Sequence, residues 1–368
     1  MSLVLGLETS CDETSVALLG ENGAIAASVV SSQIDMHHRY GGVVPEIAAR
    51  AHLTNLPLLL DEAFERAGAR LEDVGLVVAT AGPGLVGALL VGLAEGRGIA
   101  LGLGVPFVPG HHIEGHALSP FLDLEGAPAR AIPSRFAALV VSGGHSHVFS
   151  YAPEGISLLA RTRDDAAGEA YDKVAKMAGL GYPGGPVVDR LARTGRVVEP
   201  FAVPRFKGGS VDLSFSGLKT AVRDRLAALG YAPNTGVALR GPALAEEDAP
   251  PALRDLLAAF QEVVVAQLED RLDRLLAAAP FALLTVSGGV AANELLRERL
   301  AAWGPRRGVE VLLAPRALTG DNAAMVAFAG LLRHRAGVPH EGSSGPARSR
   351  WPLESLPWAL PGAPRPID

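Results

Sequence analysis

Phe136-Ala137-Ala138-Leu139-Val140-Val141-Ser142-Gly143-Gly144 reads as a strand running into a paired-glycine turn. The chain returns to the same pattern at Phe281-Ala282-Leu283-Leu284-Thr285-Val286-Ser287-Gly288-Gly289. A short apolar run closed by glycine is the mark of a buried strand. The first copy continues from His145 to Tyr151 as a hairpin, whereas the second enters a helix through Asn293. Two copies of the Val-Ser-Gly-Gly unit point to two related lobes. A glycine pair after a strand is ordinarily just a turn. It also lets backbone amides approach an anion closely, and Ser142 and Ser287 add hydroxyl donors. Neither loop carries the G-x-x-x-x-G-K-[ST] or the G-x-G-x-x-G spacing.

Upstream, Leu3 to Leu7 predicts a strand, Glu8 to Thr14 a polar turn, Ser15 to Leu19 a second strand and Ala24 to Ser32 a third. Val74 to Ala94 holds no charged residue, long enough to cross a bilayer. Gly82-Pro83-Gly84 breaks it, so a buried strand, a turn and a helix from Leu85 to about Leu103 are expected. Further helices are expected at Asp165–Leu180 and Leu253–Ala279, the latter carrying a core-facing apolar stripe. Ala232 to Pro251 is a Pro/Ala-rich insertion. After Arg335 the chain is rich in Pro, Gly and Ser without periodicity, which predicts a loosely ordered tail.

The composition is that of a globular chain: 368 residues, 48% apolar and 20% charged, with 33 basic and 39 acidic side chains and a net charge of −6. At roughly 100–200 residues per domain, two or three domains are expected. The mild acidity excludes a protein basic all over but leaves room for a local nucleic-acid patch. The lone cysteine, Cys11, excludes a disulfide framework and a thiolate metal cluster. The start, acidic by Glu8 and without a basic flank, does not read as a secretory signal, and the expectation is a cytoplasmic protein. The 43 glycines and 27 prolines would suggest low complexity if scattered in polar tracts, but they gather at strand ends.

Chemistry-bearing residues form several groups. His112 and His116, in His111-His112-Ile113-Glu114-Gly115-His116, stand i,i+4, so on a helix their imidazoles share one face. Two ligands are too few, and an oxygen donor from elsewhere is required. Asp321, ahead of an apolar helix, would by default be its N-cap and is also the best candidate for that oxygen. A zinc peptidase needs H-E-x-x-H, and here the glutamate is one place too late. Asp165, Glu169, Asp172 and Lys176 share one or two helix faces. Capping by Asp164 or Asp165 accounts for the start of that helix and leaves Asp172 unexplained. Tyr182-Pro183-Gly184-Gly185-Pro186 is too glycine-rich for an ordinary connection and could seat a sugar or phosphate.

Together these segments resemble one family, the tRNA N6-adenosine threonylcarbamoyltransferases of bacterial type. The resemblance rests on Gly6–Ser15, His38–Glu46, His112–His116, Val141–His145, Asp164–Lys173, Tyr182–Pro186, Ser214–Thr220, Ser287–Asn293 and Asp321–Met325, which occur in family order. The chain departs from the pattern at Leu318-Thr319-Gly320, where an extra residue precedes Asp321.

The resemblance implies an α/β, two-lobed actin-like ATPase fold with duplicated RNase H-like subdomains and an interlobe nucleotide cleft. Residues 1–110 with 315–337 would form the N-terminal lobe, 111–314 the C-terminal lobe and 338–368 the tail. It implies transfer of threonylcarbamoyl from threonylcarbamoyl-AMP to N6 of adenosine 37 in tRNAs reading codons that begin with A. It implies a metal, Fe2+ or Zn2+, on His112, His116 and Asp321, and ATP or an adenylate in the cleft. Substrate contacts would be Val140, Val141, Ser142, Gly143, Gly144, Asp172, Gly185, Asp189 and Asn293. Glu13 and His145 are the candidates for proton handling, and Cys11 is taken as structural. Implied partners are tRNA, a paralogue that dimerises through the N-terminal lobe and a small ATPase, with no membrane. A tRNA strip is expected from Arg39, Arg50, Arg205, Lys207, Lys219 and Arg223. The small residues Gly84, Gly87, Ala88 and Gly92 suggest either a dimer face or internal packing. Two other readings compete: a metal-dependent peptidase, and an inactive scaffold paralogue, the latter disfavoured because all three ligands and Asn293 are present.

Overall fold

The structure, a computed structural model, describes residues 2–38, 40–231, 244–338 and 342–358. Arg39, the Lys207 side chain and most of the Ala232–Pro251 insertion lie outside the described residues. Among the described residues, ten strands form two five-stranded sheets. The first holds β1 (Leu3–Glu8), β2 (Glu13–Gly20), β3 (Ile25–Ser32), β4 (Val74–Gly82) and β5 (Phe107–His111) in the order β3-β2-β1-β4-β5. The second holds β6 (Phe136–Val141), β7 (Ser146–Ala152), β8 (Gly155–Arg161), β9 (Leu283–Ser287) and β10 (Glu310–Leu313) in the order β8-β7-β6-β9-β10. In each, the first three strands are an antiparallel meander and the last two run parallel to the central one.

The fold is therefore duplicated, but not where the repeated tetrapeptide predicts. Both copies lie side by side in the second sheet, on β6 and β9, with Leu139 opposite Val286 and Val140 opposite Ser287. The true counterpart of β6 is β1, whose sequence ends in Leu7-Glu8-Thr9 and shares no glycine pair with it. Gly288 adopts φ +90°, and a side chain there would run into the Val141 carbonyl. The repeat thus brings two loops into contact within one lobe.

The helices are α1 (Ile34–His38), α2 (Pro45–Ala67), α3 (Val86–Leu103), α4 (His112–Leu118), α5 (Ala167–Met177), α6 (Gly184–Ala192), α7 (Ser216–Ala228), α8 (Pro251–Ala278), α9 (Glu294–Arg307) and α10 (Ala323–Arg335). Strand alternation sorts the side chains into three cores. Leu5, Leu7, Val16 and Leu18 meet α2 and α3, while Val4, Ala17 and Leu19 face a middle layer of α4 and α10. Phe136, Ala138 and Val140 reach that middle layer from the second sheet, and Ala137, Leu139 and Val141 face α5 to α9. With both faces of each sheet covered, the strands read as nearly continuous apolar runs. All nine residues of β4 are buried, which accounts for the uncharged stretch.

Helix α3 is long and apolar enough to cross a membrane by length and composition alone, yet Ala88, Leu89, Gly92, Leu93, Gly96 and Ala100 are buried. Ala88 and Gly92 are buried packing positions, with Gly92 against Thr9, and Gly84, just ahead of the helix, meets Ser10. Gly87 is exposed beside Ala49 of α2, and Ala94, Gly98 and Gly102 are exposed along the outward side with the larger Leu90 and Leu101. The tail also differs from the expectation. Residues 342–358 pack on the body, with Leu353 and Trp358 buried in the middle core. Its aromatic and leucine side chains were outweighed in the sequence by proline, glycine and serine.

Candidate active site

His112 and His116 project from α4 toward Asp321, which lies just before α10. The three ligating atoms fall within 4.8 Å of one another. His116 Nε2 is 3.0 Å and His112 Nε2 3.5 Å from the same Asp321 Oδ1. Asp321 is free for this because its neighbour does the capping: Asn322 Oδ1 accepts from the Met325 N–H at 2.9 Å. On the far side of His112, Nδ1 is 3.2 Å from Glu8 Oε2 and 3.2 Å from Ser10 Oγ. Glu8 is fully buried and also accepts from the Ser10 N–H at 2.5 Å and the Thr80 hydroxyl at 2.7 Å. A carboxylate behind a histidine fixes its hydrogen on Nδ1 and leaves Nε2 as the donor to a cation. Two imidazole nitrogens and one carboxylate oxygen converging on one point fit a borderline divalent ion.

The electrostatics agree with that geometry. Burial alone would depress the His112 imidazolium, but the Asp321 and Glu8 carboxylates push it up to about 9. Burial would raise the Asp321 and Glu8 carboxyls, but His112 beside each holds them below their usual range. A positive charge is therefore stabilised where the three donors meet.

The remaining polar residues of the motif turn away from this point. His111 precedes α4, and its Nδ1 accepts from the Glu114 N–H at 3.3 Å, capping the helix. Its Nε2 must then donate to the Trp351 carbonyl, 2.9 Å away. Burial depresses this imidazole to about 3, so it is neutral. Glu114 is fully buried and forms a two-point ion pair with Arg333 of α10 at 2.5 and 2.7 Å. A carboxylate engaged in this way, opposite the metal face, is not a peptidase general base.

The donors open onto a cleft of about 1070 Å³ between the lobes. Its walls include Glu13, His112, Ser142, Gly143, Gly144, His145, Asp172, Gly185, Asp189, Asn293 and Asp321. His116 lies behind them, fully buried. Val140 and Val141 do not reach the cleft, because their side chains sit in the middle core and the C-terminal core. Asp12, Glu13, Asp172 and Asp321 make the interior acidic. Burial, then Asp321 and Asp12, push the Glu13 carboxyl up to about 9. Burial, then Asp12 across the cleft, raises Asp172, whose carboxylate accepts from the backbone of Gly184 at 2.8 Å and of Gly185. Burial and the His112, His147 and His116 charges keep His145 neutral, at about 3. Burial and Asp12 push the Cys11 thiol well above its usual value, which keeps it from being a nucleophile.

Asn293 and Asp189 belong to one network. Asn293 caps α9 through the Leu296 N–H at 3.0 Å, and its amide donates to Asp189 at 3.0 Å and Gln261 at 2.9 Å. Asp189 also accepts from Arg193 at 2.9 Å. Asp164 does not cap α5; its carboxylate serves the start of α7, accepting from the Ser216 N–H at 3.2 Å. It gathers the Ser214 and Ser216 hydroxyls at 2.6 Å each and the Phe215 N–H at 2.8 Å, so α5 starts only at Ala167. In the basic strip, Lys219 is paired with Asp165 at 2.8 Å and Arg223 with Asp224 at 2.9 Å. Sequence reasoning passed over Glu8, although a lone carboxylate ending an apolar strand was the available signal. It also passed over His52, which holds Thr14 Oγ1 at 2.8 Å and the Cys11 carbonyl at 3.0 Å and so supports the loop between β1 and β2.

Two duplicated α/β lobes around a cleft define an actin-like ATPase fold. HypF from T. kodakarensis shares it with a TM-score of 0.57 at 14% identity, over 90% of this chain and 48% of that one. The family model described as TsaD, tRNA N6-adenosine threonylcarbamoyltransferase, matches residues 24–328. The transferase of that name from Thermus thermophilus is 43% identical over 352 residues, 95% of this chain and 99% of its own. That from Aromatoleum aromaticum is 45% identical over 359 residues, 96% and 98% of the two chains. The chain belongs to the tRNA N6-adenosine threonylcarbamoyltransferase family, and is a transferase.

Proposed function

We propose that this protein transfers the threonylcarbamoyl group of threonylcarbamoyl-AMP to N6 of adenosine 37 in tRNAs that read codons beginning with A, releasing AMP. One observation carries the reading beyond family membership: the His112, His116 and Asp321 donors and the loops at Ser142–His145 and Gly289–Asn293 all converge on a single cleft. In the reaction the exocyclic amine attacks the carbamoyl carbon, a C–N bond forms, the C–O bond to AMP breaks, and the amine gives up a proton.

The acidic interior of this cleft repels a bare phosphate. A divalent ion on the three donors, iron or zinc, would supply Lewis-acid stabilisation of the phosphate and carbonyl oxygens. The backbone amides around Gly143 and Gly144 offer preorganised donors to the same charge. Asp172 and Asp189 present acceptors suited to ribose hydroxyls or a base amine, and the Asn293 amide, donating to Asp189 and Gln261, holds Asp189 in place. His145 lies on the cleft wall, where the burial that keeps it neutral also opposes its taking up a proton and suits it to hydrogen bonding with substrate. Glu13, with its carboxyl raised, can hold or return a proton. Adenylate or ATP is the nucleotide that suits this cleft.

The outward faces of α2 and α3 carry Leu53, Leu58, Leu90 and Leu101, each more than half exposed. We assign this face to the paralogous partner, and the small ATPase and tRNA to surfaces around the cleft mouth. The peptidase reading loses its base to the Glu114–Arg333 pair.

The test supplies threonylcarbamoyl-AMP, the partner proteins and unmodified tRNA, and reads the nucleoside by mass spectrometry. The wild type is expected to give threonylcarbamoyladenosine, and the His112→Ala/His116→Ala variant none. Full product from that variant would overturn the assignment.

A further inference from the structure

The segment Gly345–Trp358 crosses both lobes and is tied down at each step. Arg97 of α3 donates to the Gly345 carbonyl. The Arg348 N–H donates to the Ala81 carbonyl at 2.8 Å. There the chains approach so closely that only a glycine fits at position 82, where φ is +155° and a side chain would strike the Arg348 carbonyl. The Arg348 guanidinium lies 4.6 Å from the Trp351 ring centroid, and that ring stands 4.9 Å from His111. Leu353 is buried in the middle core, and the Trp358 ring meets Tyr151 of the second sheet at 4.9 Å. Ser349 forms part of the cleft wall.

We propose that this segment is a strap that positions α4, and that His111 is the positioning residue through which it acts on the metal donors. The inference rests on His112 and His116 being metal ligands, as read above, but not on the reaction.

Helix α4 is seven residues long, so the setting of its first turn decides where both imidazoles point. Each polar side chain of this segment that turns away from the metal is connected to the strap. At the start, His111 caps the helix with Nδ1 only because its hydrogen sits on Nε2, and the Trp351 carbonyl is the acceptor that holds it there. One turn on, Glu114 pairs with Arg333, whose Nη1 also reaches the Pro357 carbonyl at 3.4 Å. The strap therefore grips α4 at its cap and, through Arg333, at its middle. Residues behind a metal ligand that fix its orientation commonly govern affinity as strongly as a weak ligand does.

The test uses full-length protein and zinc alone, with affinity read by competition against a chelator. His111→Asn keeps an acceptor for the Glu114 N–H but is too short to reach Trp351. His111→Gln restores a donor at the reach of Nε2. The expected result is a loss of about tenfold or more in zinc affinity for His111→Asn, with melting close to wild type, and recovery of most of it in His111→Gln. Unchanged affinity in His111→Asn, or an equal loss in both variants, would overturn the proposal. Arg97→Met releases Gly345 at the far end without touching α4. In the metal-free protein it should speed amide exchange at both 345–358 and 112–118. Faster exchange confined to 345–358 would also overturn it. Neither readout depends on turnover, so loss of the transferase assignment would leave both interpretable.

Discussion

Glu8 Oε2 lies 3.2 Å from His112 Nδ1, joining the end of the first strand to the helix that carries two of the three proposed metal donors. The pair is buried, and Thr80 and the Ser10 N–H satisfy the rest of the carboxylate. Glu8 therefore sets the tautomer and charge of a ligand from behind. Glu8→Gln keeps the shape and an acceptor but removes the negative charge. Zinc or iron affinity should fall about 10- to 100-fold, measured by chelator competition, with the secondary structure unchanged. Wild-type affinity in this variant would remove Glu8 from the site.

The Glu114–Arg333 pair gives a prediction about stability. Removing one partner strands a buried charge, at a cost of about 3–5 kcal/mol. Glu114→Gln should lose that much in denaturant unfolding, and Glu114→Gln with Arg333→Met should regain most of it. At a temperature where the single variant is folded, and with metal added to saturation so that a weaker hold on α4 is offset, modification per folded molecule should persist. Loss of turnover without loss of stability would return Glu114 to a catalytic role.

What the sequence made legible followed from local spacing. The i,i+4 histidines, the strand ending at Val141 and the helix after Gly84 each depend on neighbours a turn or two away, and each lies where expected. Asp321 reads in the sequence as the default cap of α10. Its neighbour can cap a helix equally well, and only the contact of Asn322 Oδ1 with the Met325 N–H shows that Asn322 does so. Glu8 escaped because its partners Thr80 and His112 are 72 and 104 residues away. The repeated tetrapeptide misled because sequence likeness marked neighbouring strands in one sheet, whereas the duplicated strands β1 and β6 have kept their topology and not their residues. The tail was judged by its proline and glycine content, although Trp351, Leu353 and Trp358 carry its packing.

Glu13 gives a pH dependence whose sign follows from its surroundings. Burial, then Asp321 and Asp12, push its carboxyl from 4.5 up to about 9. Between those values the folded, metal-free chain keeps a proton that the unfolded chain has lost, so this group's contribution is full below pH 4.5 and declines as pH rises toward 9. Glu13→Gln cannot titrate. Metal-free Glu13→Gln should match wild type near pH 5 and exceed its stability at pH 8, in urea unfolding at each pH. Contributions from the neutral histidines cancel in the comparison. A variant no more stable than wild type at pH 8 would show that Glu13 is ionised in the native cleft.

The docking proposed for the outward face of α2 and α3 can be tested apart from the chemistry. Leu101 is 86% exposed, so Leu101→Glu places a charge where water already is and should leave stability within about 0.5 kcal/mol of wild type. A carboxylate at the centre of an apolar interface would be desolvated without a partner, a cost of several kcal/mol. Leu101→Glu should therefore fold, bind zinc as the wild type does, and fail to co-elute with the paralogue in size-exclusion chromatography. Because Leu101 lies near the C-terminal end of α3, whereas the cleft is lined by Pro83, Gly84 and Leu85 ahead of its first turn, product formation should fall only as far as the complex is lost, and excess paralogue should restore part of it. Normal co-elution of Leu101→Glu would move the docking surface elsewhere. Loss of zinc binding with it would mean that the face and the metal centre are coupled through the β1–β2 loop, where Gly92 of α3 packs on Thr9.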